Sequence, residues 1–303
     1  MNKKKLKVIF IGNVMMSLSF LSALNKEKKY ISIVGIISKK KTKYQSDFFD
    51  FANYARDRKI PYYKTSNINN KTTFEWIKKI DPNLIFCFGF SQLIGRSLLD
   101  EFKNRIIGFH PSSLPILKGR NPIIWTIILK RKFTGTNFFY INQNADSGEI
   151  IDHSKLLIKD SMNSTDVYKK LIELGKKRIP ILIKKILNNK KFKTIKNKSK
   201  LLVRKRFIGE EIVDWRLSSN FIHNLVRAMS YPYVGAFFIY KKKKYKILKT
   251  AIYNDKFKFR LKEYGRVVDV KNKNFIIKCG EGCIKILKTD PKIKLKLNES
   301  IYQ

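Results

Sequence analysis

The sequence predicts an α/β fold with a mostly parallel sheet, followed by a smaller β domain. In the first half of the chain, short apolar runs of strand length alternate with amphipathic segments of helix length. Residues 188–200 are polar, basic and almost free of apolar periodicity, which is typical of a domain boundary. Beyond them, a series of short strands with turn signals favours a small barrel. We therefore expect domains at 1–188 and 207–303, joined by a linker at 189–206.

The opening of the chain predicts a strand, a helix and a second strand, at 7–12, 15–24 and 31–38. The second strand is continuous in apolar residues, as a strand buried on both faces of a parallel sheet should be. This order is that of a Rossmann-like unit, but GxGxxG is absent, so we expect no dinucleotide. The basic loop at 39–43 is interpreted as a solvated connection rather than a phosphate or RNA contact.

The middle of the chain continues the alternation of helices and strands. The predicted elements are 48–58, 61–63, 73–80, 84–88, 105–109, 122–129, 134–141 and 150–158. His110 directly follows the strand 105–109, and Asp146 lies in a polar turn at 144–148. Strand ends and turns beside a sheet often carry chemistry, because the scaffold is rigid there and side chains still reach solvent. A structural role is equally open for each residue type when it is taken alone.

The first domain ends with a long amphipathic helix predicted at 165–187, which Pro180 should kink or divide. A second helix is predicted at 219–229. The strands predicted after it, which would form an OB-like barrel, are 237–240, 245–253, 257–261, 266–270, 275–279 and 284–287.

Composition and cysteine usage limit the functional classes. The formal net charge of +42 is compatible with nucleic-acid binding, but the cations are spread along the chain rather than concentrated on one element. Cys279 and Cys283 flank a glycine-rich turn, which favours a hairpin over a metal or redox pair, and no second cluster completes a zinc site. Together with Cys87, these three cysteines cannot all pair, which fits a reducing compartment.

The N-terminus has a basic start followed by an apolar run, as in a signal peptide. Gly12 and Asn13 interrupt this run, and no clear cleavage pattern follows, so a strand, turn and helix are preferred. We therefore expect a cytoplasmic protein without membrane insertion.

Four sequence blocks, in this order and spacing, resemble the folate-dependent formyltransferases. The blocks are HPSSLP at 110–115, GRNPIIW at 119–125, TGT at 134–136 and ADSGEI at 145–150. The family includes enzymes acting on glycinamide ribonucleotide, methionyl-tRNA and nucleotide-linked sugars. The resemblance implies 10-formyltetrahydrofolate as the formyl donor and an amine as acceptor, without a metal. It also implies that the C-terminal strands form the OB-like domain found in the methionyl-tRNA and sugar branches.

In the family, the catalytic set is an Asn, a His two residues later and an Asp in the distal turn. The resemblance therefore implies that His110 and Asp146 are catalytic, but Gly108 occupies the Asn position. A missing oxyanion donor typically costs about 2.7–4 kcal/mol in enzymes that use one. Asn121, Ser112 or a backbone N–H are the candidate replacements. Otherwise the enzyme is slow or inactive.

The resemblance also implies where the pterin ring of the donor binds. A flat heteroaromatic ring needs apolar walls with main-chain donors and acceptors at its edge. The residues expected to form this slot are Phe88, Gly89, Phe90, Leu93, Leu114, Pro115, Ala145 and Asp146.

For the acceptor, the features of the 119–122 loop, the 145–148 turn and the short basic loop favour an amino group on a nucleotide-linked sugar. The overall charge and the two-domain plan support the alternative, methionyl-tRNA. A third interpretation is a non-catalytic homologue that only binds folate or nucleotide-sugar. Partners are therefore expected to be small molecules, with tRNA as the alternative, and a homodimer stays open.

Overall fold

The computed structural model describes residues 5–40, 47–188, 195, 202–254, 259–272 and 274–302. The chain divides into two compact units that interleave along the sequence. Unit 1 consists of Met1–Pro122, Phe133–Leu157 and Tyr168–Val203, and unit 2 of Ile123–Lys132, Ile158–Val167 and Arg204–Gln303. The contiguous ranges 1–188, 189–206 and 207–303 stay a prediction about domains.

Unit 1 is built on a seven-stranded sheet with the order β3-β2-β1-β4-β5-β7-β8. Its strands are β1 (Leu6–Ile11), β2 (Ile31–Lys39), β3 (Tyr62–Thr65), β4 (Leu84–Phe88), β5 (Ile106–His110), β7 (Phe133–Tyr140) and β8 (Ile150–Leu157). The first five strands in this order are mutually parallel, and β7 and β8 are antiparallel to their neighbours. The predicted α/β fold with a mostly parallel sheet is therefore confirmed. In such a sheet the carboxyl ends of β1, β4 and β5 meet at one edge, where ligands bind.

Helices and a short strand pair complete unit 1. The helices are α1 (Met15–Lys26), α2 (Ala52–Asp57), α3 (Lys71–Ile80), α4 (Arg96–Glu101), α5 (Pro122–Ile128) and α6 (Ser164–Leu187), the last two shared in part with unit 2. The short strands β6 (Lys118–Gly119) and β9 (Leu202–Val203) pair in parallel. α6 continues through Pro180 as one helix, so Pro180 does not divide it, and a kink there stays a prediction. The predicted linker thus contributes a strand at 202–203, while most of its remainder and of the basic loop at 39–43 lies outside the described residues.

The two faces of the sheet are buried by different side chains. On one face, the rings of Phe20, Phe88, Phe109 and Phe138 pack edge to face or tilted, with Phe20 and Phe109 only 4.4 Å apart between centroids. The other face buries an aliphatic cluster that includes Ile9, Cys87 and Ile106. Because side chains alternate along a strand, Phe109 points to the first face, and Gly108 and His110 belong to the second.

β5, which ends at His110, and β7, which precedes the turn of Asp146, are neighbours in the sheet. They are antiparallel, however, with Ile107 opposite Tyr140 and His110 opposite Asn137. The end of β7 therefore lies beside the start of β5, and the connection 141–149 must fold back to reach His110. Gly148 allows this return, because a Cβ there would lie 1.5 Å from the Tyr140 carbonyl oxygen.

Unit 2 contains α7 (Ser219–Ala228) and a five-stranded antiparallel sheet. The sheet order is β10-β11-β14-β13-β12, with β10 (Phe237–Tyr240), β11 (Lys243–Tyr253), β12 (Val267–Lys271), β13 (Asn274–Lys278) and β14 (Cys283–Asp290). The expected separate C-terminal β domain is thus confirmed. Cys279 and Cys283 are buried at the β13–β14 hairpin, which confirms the hairpin predicted there.

Two predicted elements differ from the structure. The helix expected at 48–58 is restricted to α2, because Phe48 instead forms a β-bridge with Val14. In the strand expected at 257–261, residues 257–258 lie outside the described residues and 259–261 form a turn. Across the residues that the structure describes, no helix combines the length and apolar character needed to cross a bilayer.

Candidate active site

His110 is held between a carbonyl and a carboxylate at the carboxyl end of β5. It is 5% exposed, and its Nε2 lies 2.9 Å from the Leu117 carbonyl oxygen. Because a carbonyl can only accept, Nε2 must carry a proton and donate in this contact. On the opposite side of the ring, Nδ1 lies 3.4 Å from Asp146 Oδ2. The ring orientation is therefore set from both of its nitrogens.

The loop after His110 owes its shape to main-chain and side-chain hydrogen bonds. The Ser112 hydroxyl donates to the Ile116 carbonyl at 3.1 Å. The buried Asn137 amide, from the adjacent β7, donates to the Ser112 carbonyl. Leu117 has a left-handed φ of 59°, a conformation that costs a residue with a Cβ about 1–2 kcal/mol. In this conformation the Leu117 carbonyl oxygen contacts the His110 imidazole.

Asp146 is anchored to the same loop. Its Oδ2 accepts a hydrogen bond of 2.9 Å from the Gly119 N–H, in addition to facing His110. Asp146 itself has φ 49°, which aspartate tolerates better than most residues. In the same turn, Ser147 Oγ donates to the Ala145 carbonyl, and the buried Lys118 ammonium lies 3.5 Å from Ser147 Oγ. One carboxylate thus joins the two segments that carry the candidate catalytic residues.

Cys87, opposite Gly108 in the β4–β5 pair, lies in the electrostatic field of this carboxylate. Burial, and then the negative charge of Asp146, raise the pKa of the Cys87 thiol to about 12. A thiol with this pKa stays neutral near pH 7 and is a poor nucleophile. Its place in the site is therefore that of a packed, uncharged side chain.

Gly108, at the position of the family Asn, faces hydrocarbon. A Cβ on this residue would lie 2.7 Å from Phe139 Cζ and 3.0 Å from Ile141 Cγ1. Phe139 is opposite Gly108 in the β5–β7 pair and is 4% exposed. The space next to Gly108 is therefore filled, and position 108 contributes no side-chain donor.

The residues expected to line the pterin slot fall into two groups. The Phe88 ring is fully buried in the aromatic face of the sheet, and its carbonyl accepts from Ser17 Oγ at 2.6 Å. Gly89 has φ 67° and packs beside Val14. The others, from partly buried to exposed, are Phe90, Leu93, Leu114, Pro115 and Ala145. Only this second group leaves apolar side-chain surface accessible to a ligand.

The other two residues expected to contact the substrate, Ser112 and Asn121, differ in whether their side chains are accessible. The Ser112 side chain is fully buried and its hydroxyl already donates within the loop. Asn121 is partly exposed with φ 55°, in the loop that leads into α5. Of these two, Asn121 is the one with an accessible side chain.

Sequence reasoning missed the groups that position the two candidate catalytic side chains. The Leu117 carbonyl and the Gly119 N–H are main-chain atoms, for which residue type carries no signal. Asn137 could have been found, because it is the only amide in the strand 133–140, whose other residues are aromatic, Thr or Gly. It is 3% exposed. Buried amides are normally hydrogen-bonded, which marks such a residue as a structural brace.

The contact between His110 and Asp146 makes this a candidate site for proton transfer. Across the described ranges of the chain, no group of three or more His, Cys, Asp or Glu side chains is arranged to hold a metal. The imidazole and carboxylate pair lies where open α/β sheets bind their ligands, at the carboxyl end of a parallel strand.

Comparison with known proteins identifies the family to which the chain belongs. The model of the formyl transferase family matches residues 4–183, and that of the formyl transferase C-terminal domain matches residues 209–301. The chain belongs to the formyl transferase family. It is 29% identical over 204 residues to the bifunctional polymyxin resistance protein ArnA of Wigglesworthia glossinidia brevipalpis, which covers 66% of this chain and 31% of that protein.

Two further relatives represent two acceptor classes. The chain is 28% identical over 233 residues to the methionyl-tRNA formyltransferase of Clostridium novyi, covering 76% of this chain and 74% of that protein. Among solved structures it resembles WlaRD, a sugar 3N-formyl transferase crystallised with dTDP and 5-N-formyl-THF. That likeness has a TM-score of 0.68 and 22% identity, and covers 96% of this chain and 100% of that one. At this identity the likeness shows the fold.

Proposed function

We propose that this formyl transferase moves the formyl group of 10-formyltetrahydrofolate to the amino group of a nucleotide-linked sugar. The observation that carries the proposal is the pairing of His110 Nδ1 with Asp146 Oδ2 at 3.4 Å. An imidazole can take and give a proton near neutral pH, and a carboxylate orients it and stabilises its cationic form. Formylation of an amine needs this proton transfer, because the attacking nitrogen must lose a proton while the leaving nitrogen gains one.

The residues near this pair fit a flat heteroaromatic donor. Phe88 is opposite Phe109 in the parallel β4–β5 pair, so Gly89 and Phe90 follow β4 at the edge where β5 presents His110. Partly buried Phe90 and exposed Leu93 would supply apolar surface there, and main-chain groups at the strand end would supply polar contacts. The bound donor supplies the activated formyl carbon. The protein holds the acceptor amine next to this carbon, in the orientation that attack requires.

In this proposal, the pair of His110 Nδ1 and Asp146 Oδ2 accepts the proton of the attacking amine and returns it to the leaving nitrogen of the folate, while Nε2 keeps its proton in the contact with the Leu117 carbonyl. Charge on the formyl oxygen must be stabilised without a side chain at position 108, since Phe139 and Ile141 occupy that space. Asn121 is the proposed side-chain donor, together with main-chain N–H groups. Loss of one such donor would cost about 2.7–4 kcal/mol of transition-state stabilisation.

Both acceptor classes have support. The WlaRD likeness extends over the whole of that sugar formyl transferase, and the loop features at 119–122 and 145–148 favour a sugar. The charge of +42 and the identity to methionyl-tRNA formyltransferases favour tRNA as the second candidate acceptor. A polyanion is attracted by such a charge whether or not it is the substrate, so binding alone does not discriminate.

A direct assay tests both acceptors. The protein is incubated with 10-formyltetrahydrofolate and either a panel of UDP- and dTDP-linked amino-sugars or methionyl-tRNA, and formylated product is measured by mass spectrometry. We expect product from at least one amino-sugar and none from methionyl-tRNA. Product only from the tRNA, falling steeply with added salt, would make tRNA the acceptor. Folate binding without any product would establish the non-catalytic interpretation.

A further inference from the structure

The outer face of the β10–β11 hairpin in unit 2 combines lysines with exposed aliphatic side chains. Ile239 on β10 lies directly opposite Lys244 on β11, and Lys246 and Leu248 follow along β11. All four are exposed, Ile239 by 40% and Leu248 by 46%. Residues 237–253 include six lysines and no arginine, aspartate or glutamate. This face therefore offers both ammonium groups and apolar surface to a partner.

The opposite face of the hairpin is covered within its own unit. The ring of Phe238 packs against Trp215, with 5.7 Å between the centroids. Ile247 is 2% exposed, and the Thr250 hydroxyl lies 2.9 Å from Nδ1 of His223 on α7. The outer face is therefore the one that a partner can reach.

A β-bulge in β11 adds to the charge of the outer face. The register with β14 shifts on both sides of Lys249, and Leu248 and Lys249 are both exposed between the buried Ile247 and Thr250. Regular alternation would instead bury Lys249 together with Ile247, and bulges commonly re-aim side chains in this way. Lys249 is paired with Lys288, which is also exposed. Like charges directly opposite each other destabilise a sheet, and an anionic partner would relieve this repulsion.

The turn between β10 and β11 presents two further lysines in a strained conformation. Lys241 and Lys242 form a two-residue loop after Tyr240, with φ values of 48° and 61°. Such a loop strongly favours Asn and Gly, because both central residues have positive φ. Lys241 pairs with Glu299 at 3.6 Å, and Lys242 is exposed. Strained residues of this kind cluster at sites that bind a partner.

The charge of the outer face is not balanced by ion pairs. The name lysine face is used below for six residues, namely Ile239, Lys244, Lys246, Leu248, Lys249 and Lys288. Asp290 lies opposite Lys246 in the β11–β14 pair and offsets part of its charge. Among the residues that the structure describes, none of the four lysines of this face lies within ion-pair distance of a carboxylate. An anionic surface would supply the missing counter-charges.

The aromatic side chains of the hairpin are not placed to stack on nucleic-acid bases. Phe237, Phe238 and Tyr240 are 7%, 1% and 9% exposed. Tyr245 is partly buried and stacks on Phe238, and the Lys244 ammonium lies 3.5 Å from the centroid of the Phe237 ring. Binding of single-stranded nucleic acids relies on accessible aromatic or arginine side chains, whereas the accessible apolar groups here are aliphatic. A second copy of the chain is disfavoured as well, because two lysine faces would repel each other.

We propose that the lysine face docks the protein on the surface of a bilayer that contains anionic lipids. The lysines lie against the lipid headgroups, and Ile239 and Leu248 enter the boundary between headgroups and acyl chains. Lysine suits this boundary, because its hydrocarbon stem lies along apolar surface while the ammonium stays in water. The lysine face belongs to unit 2, whereas His110 and Asp146 belong to unit 1, so docking does not depend on the acceptor of the formyl group.

The test is co-sedimentation of the full-length protein with sucrose-loaded vesicles at physiological ionic strength. The vesicles contain phosphatidylcholine alone, or phosphatidylcholine with one third phosphatidylglycerol. We expect binding to the anionic vesicles and none to phosphatidylcholine alone. Lys244→Gln/Lys246→Gln should weaken binding about 30-fold, since each lysine near an anionic leaflet contributes about fivefold. Lys176→Gln/Lys177→Gln, which removes two exposed lysines from α6, is the charge-matched control and should bind like the wild type.

A variant that keeps the charge separates a bilayer from any other polyanion. Ile239→Ser/Leu248→Ser removes only the exposed aliphatic groups and should weaken vesicle binding about tenfold, with an unchanged circular dichroism spectrum. Its control is Leu129→Ser/Leu157→Ser, which removes two leucines that are 49% and 52% exposed elsewhere and should bind like the wild type.

Three outcomes would overturn the proposal. The first is equal vesicle affinity in the wild type and Ile239→Ser/Leu248→Ser, and the second is binding to phosphatidylcholine alone as strong as to the anionic vesicles. The third is tighter binding of poly(U) than of anionic vesicles, weakened by Lys244→Gln/Lys246→Gln but unchanged in Ile239→Ser/Leu248→Ser. That result would make the lysine face a nucleic-acid site.

Discussion

The tip of the Phe139 ring fills the space that a side chain at Gly108 would need, with Cζ placed 2.7 Å from the position of a Cβ. The two residues face each other across the antiparallel β5–β7 pair, so their separation is set by strand pairing. Real Cβ atoms do not approach a ring this closely, and Phe139 is 4% exposed. The space beside position 108 is therefore already occupied, which leaves no room there for an asparagine side chain.

This relationship predicts that Gly108→Asn destabilises the protein rather than restoring the missing donor. Overpacking of a dense core typically costs about 1–3 kcal/mol. We expect a lower free energy of unfolding, measured by urea unfolding monitored by circular dichroism. In a double-mutant cycle, Gly108→Asn should be less damaging in a Phe139→Ala background than alone, because the truncated side chain leaves room. Additive effects in this cycle would show that Phe139 is not the obstacle.

Residue 108 also shows why sequence reasoning predicted part of the site and missed the rest. The sequence shows that the Asn is missing. It does not show which side chain occupies the space beside position 108, because that depends on which residue of β7 faces β5. That register involves Phe139, which is far along the chain and has no local signal. In the same way, continuous apolar runs predicted the parallel strands, whereas the bridge from Phe48 to Val14, which shortens α2, is a long-range contact.

The link between His110 and Asp146 predicts that the carboxylate charge matters more than its shape. Asp146→Asn keeps an oxygen that can accept from the Gly119 N–H, but it removes the charge facing His110 Nδ1. We expect formyl transfer to fall by about 10²–10⁴-fold, the usual contribution of a positioned proton-transfer group. Stability should change little, which thermal unfolding checks.

Asp81→Asn is the matched control for this activity measurement. Asp81 is an exposed carboxylate that pairs with Lys7 at 3.3 Å, a contact worth little in solvent. This variant should turn over like the wild type. Wild-type turnover in Asp146→Asn as well would exclude Asp146 from the catalytic pair.

The buried thiols predict a loss of stability at alkaline pH. Burial raises the pKa of both Cys87 and Cys279 from the ordinary 9.0 to about 12. Above pH 9 the unfolded chain releases these protons while the folded chain keeps them. The folded state then binds more protons, and the free energy of unfolding falls as pH rises. Each thiol contributes a slope of up to about 1.4 kcal/mol per pH unit between pH 9 and 12.

Urea unfolding between pH 8 and 10.5 checks this slope. A Cys87→Ala/Cys279→Ala variant removes both thiols, so its free energy of unfolding should depend less on pH across this window, whatever its stability at pH 8. The same slope in wild type and double variant would show that other groups, such as tyrosines, account for the alkaline loss.

Gly175 in α6 predicts a case in which packing outweighs helix propensity. Replacing a helical glycine by alanine normally stabilises a helix by about 1 kcal/mol. At Gly175, however, a Cβ would lie 2.5 Å from Phe20 Cζ and 3.1 Å from Phe109 Cε2. Both rings belong to the buried aromatic face of the sheet, so neither has space to move away. The cost of overpacking, about 1–3 kcal/mol, should exceed the gain in propensity.

We therefore expect Gly175→Ala to lower the free energy of unfolding, measured in urea. Lys176→Ala, at the next and exposed position of α6, is the control and should change stability by less than about 0.5 kcal/mol. Because Phe109 directly precedes His110 on β5, a shift of its ring would also disturb the catalytic imidazole, and turnover of Gly175→Ala should fall along with stability. A Gly175→Ala protein more stable than the wild type would mean that α6 can move away from the sheet, and that the close approach of Gly175 to these rings is not required by the fold.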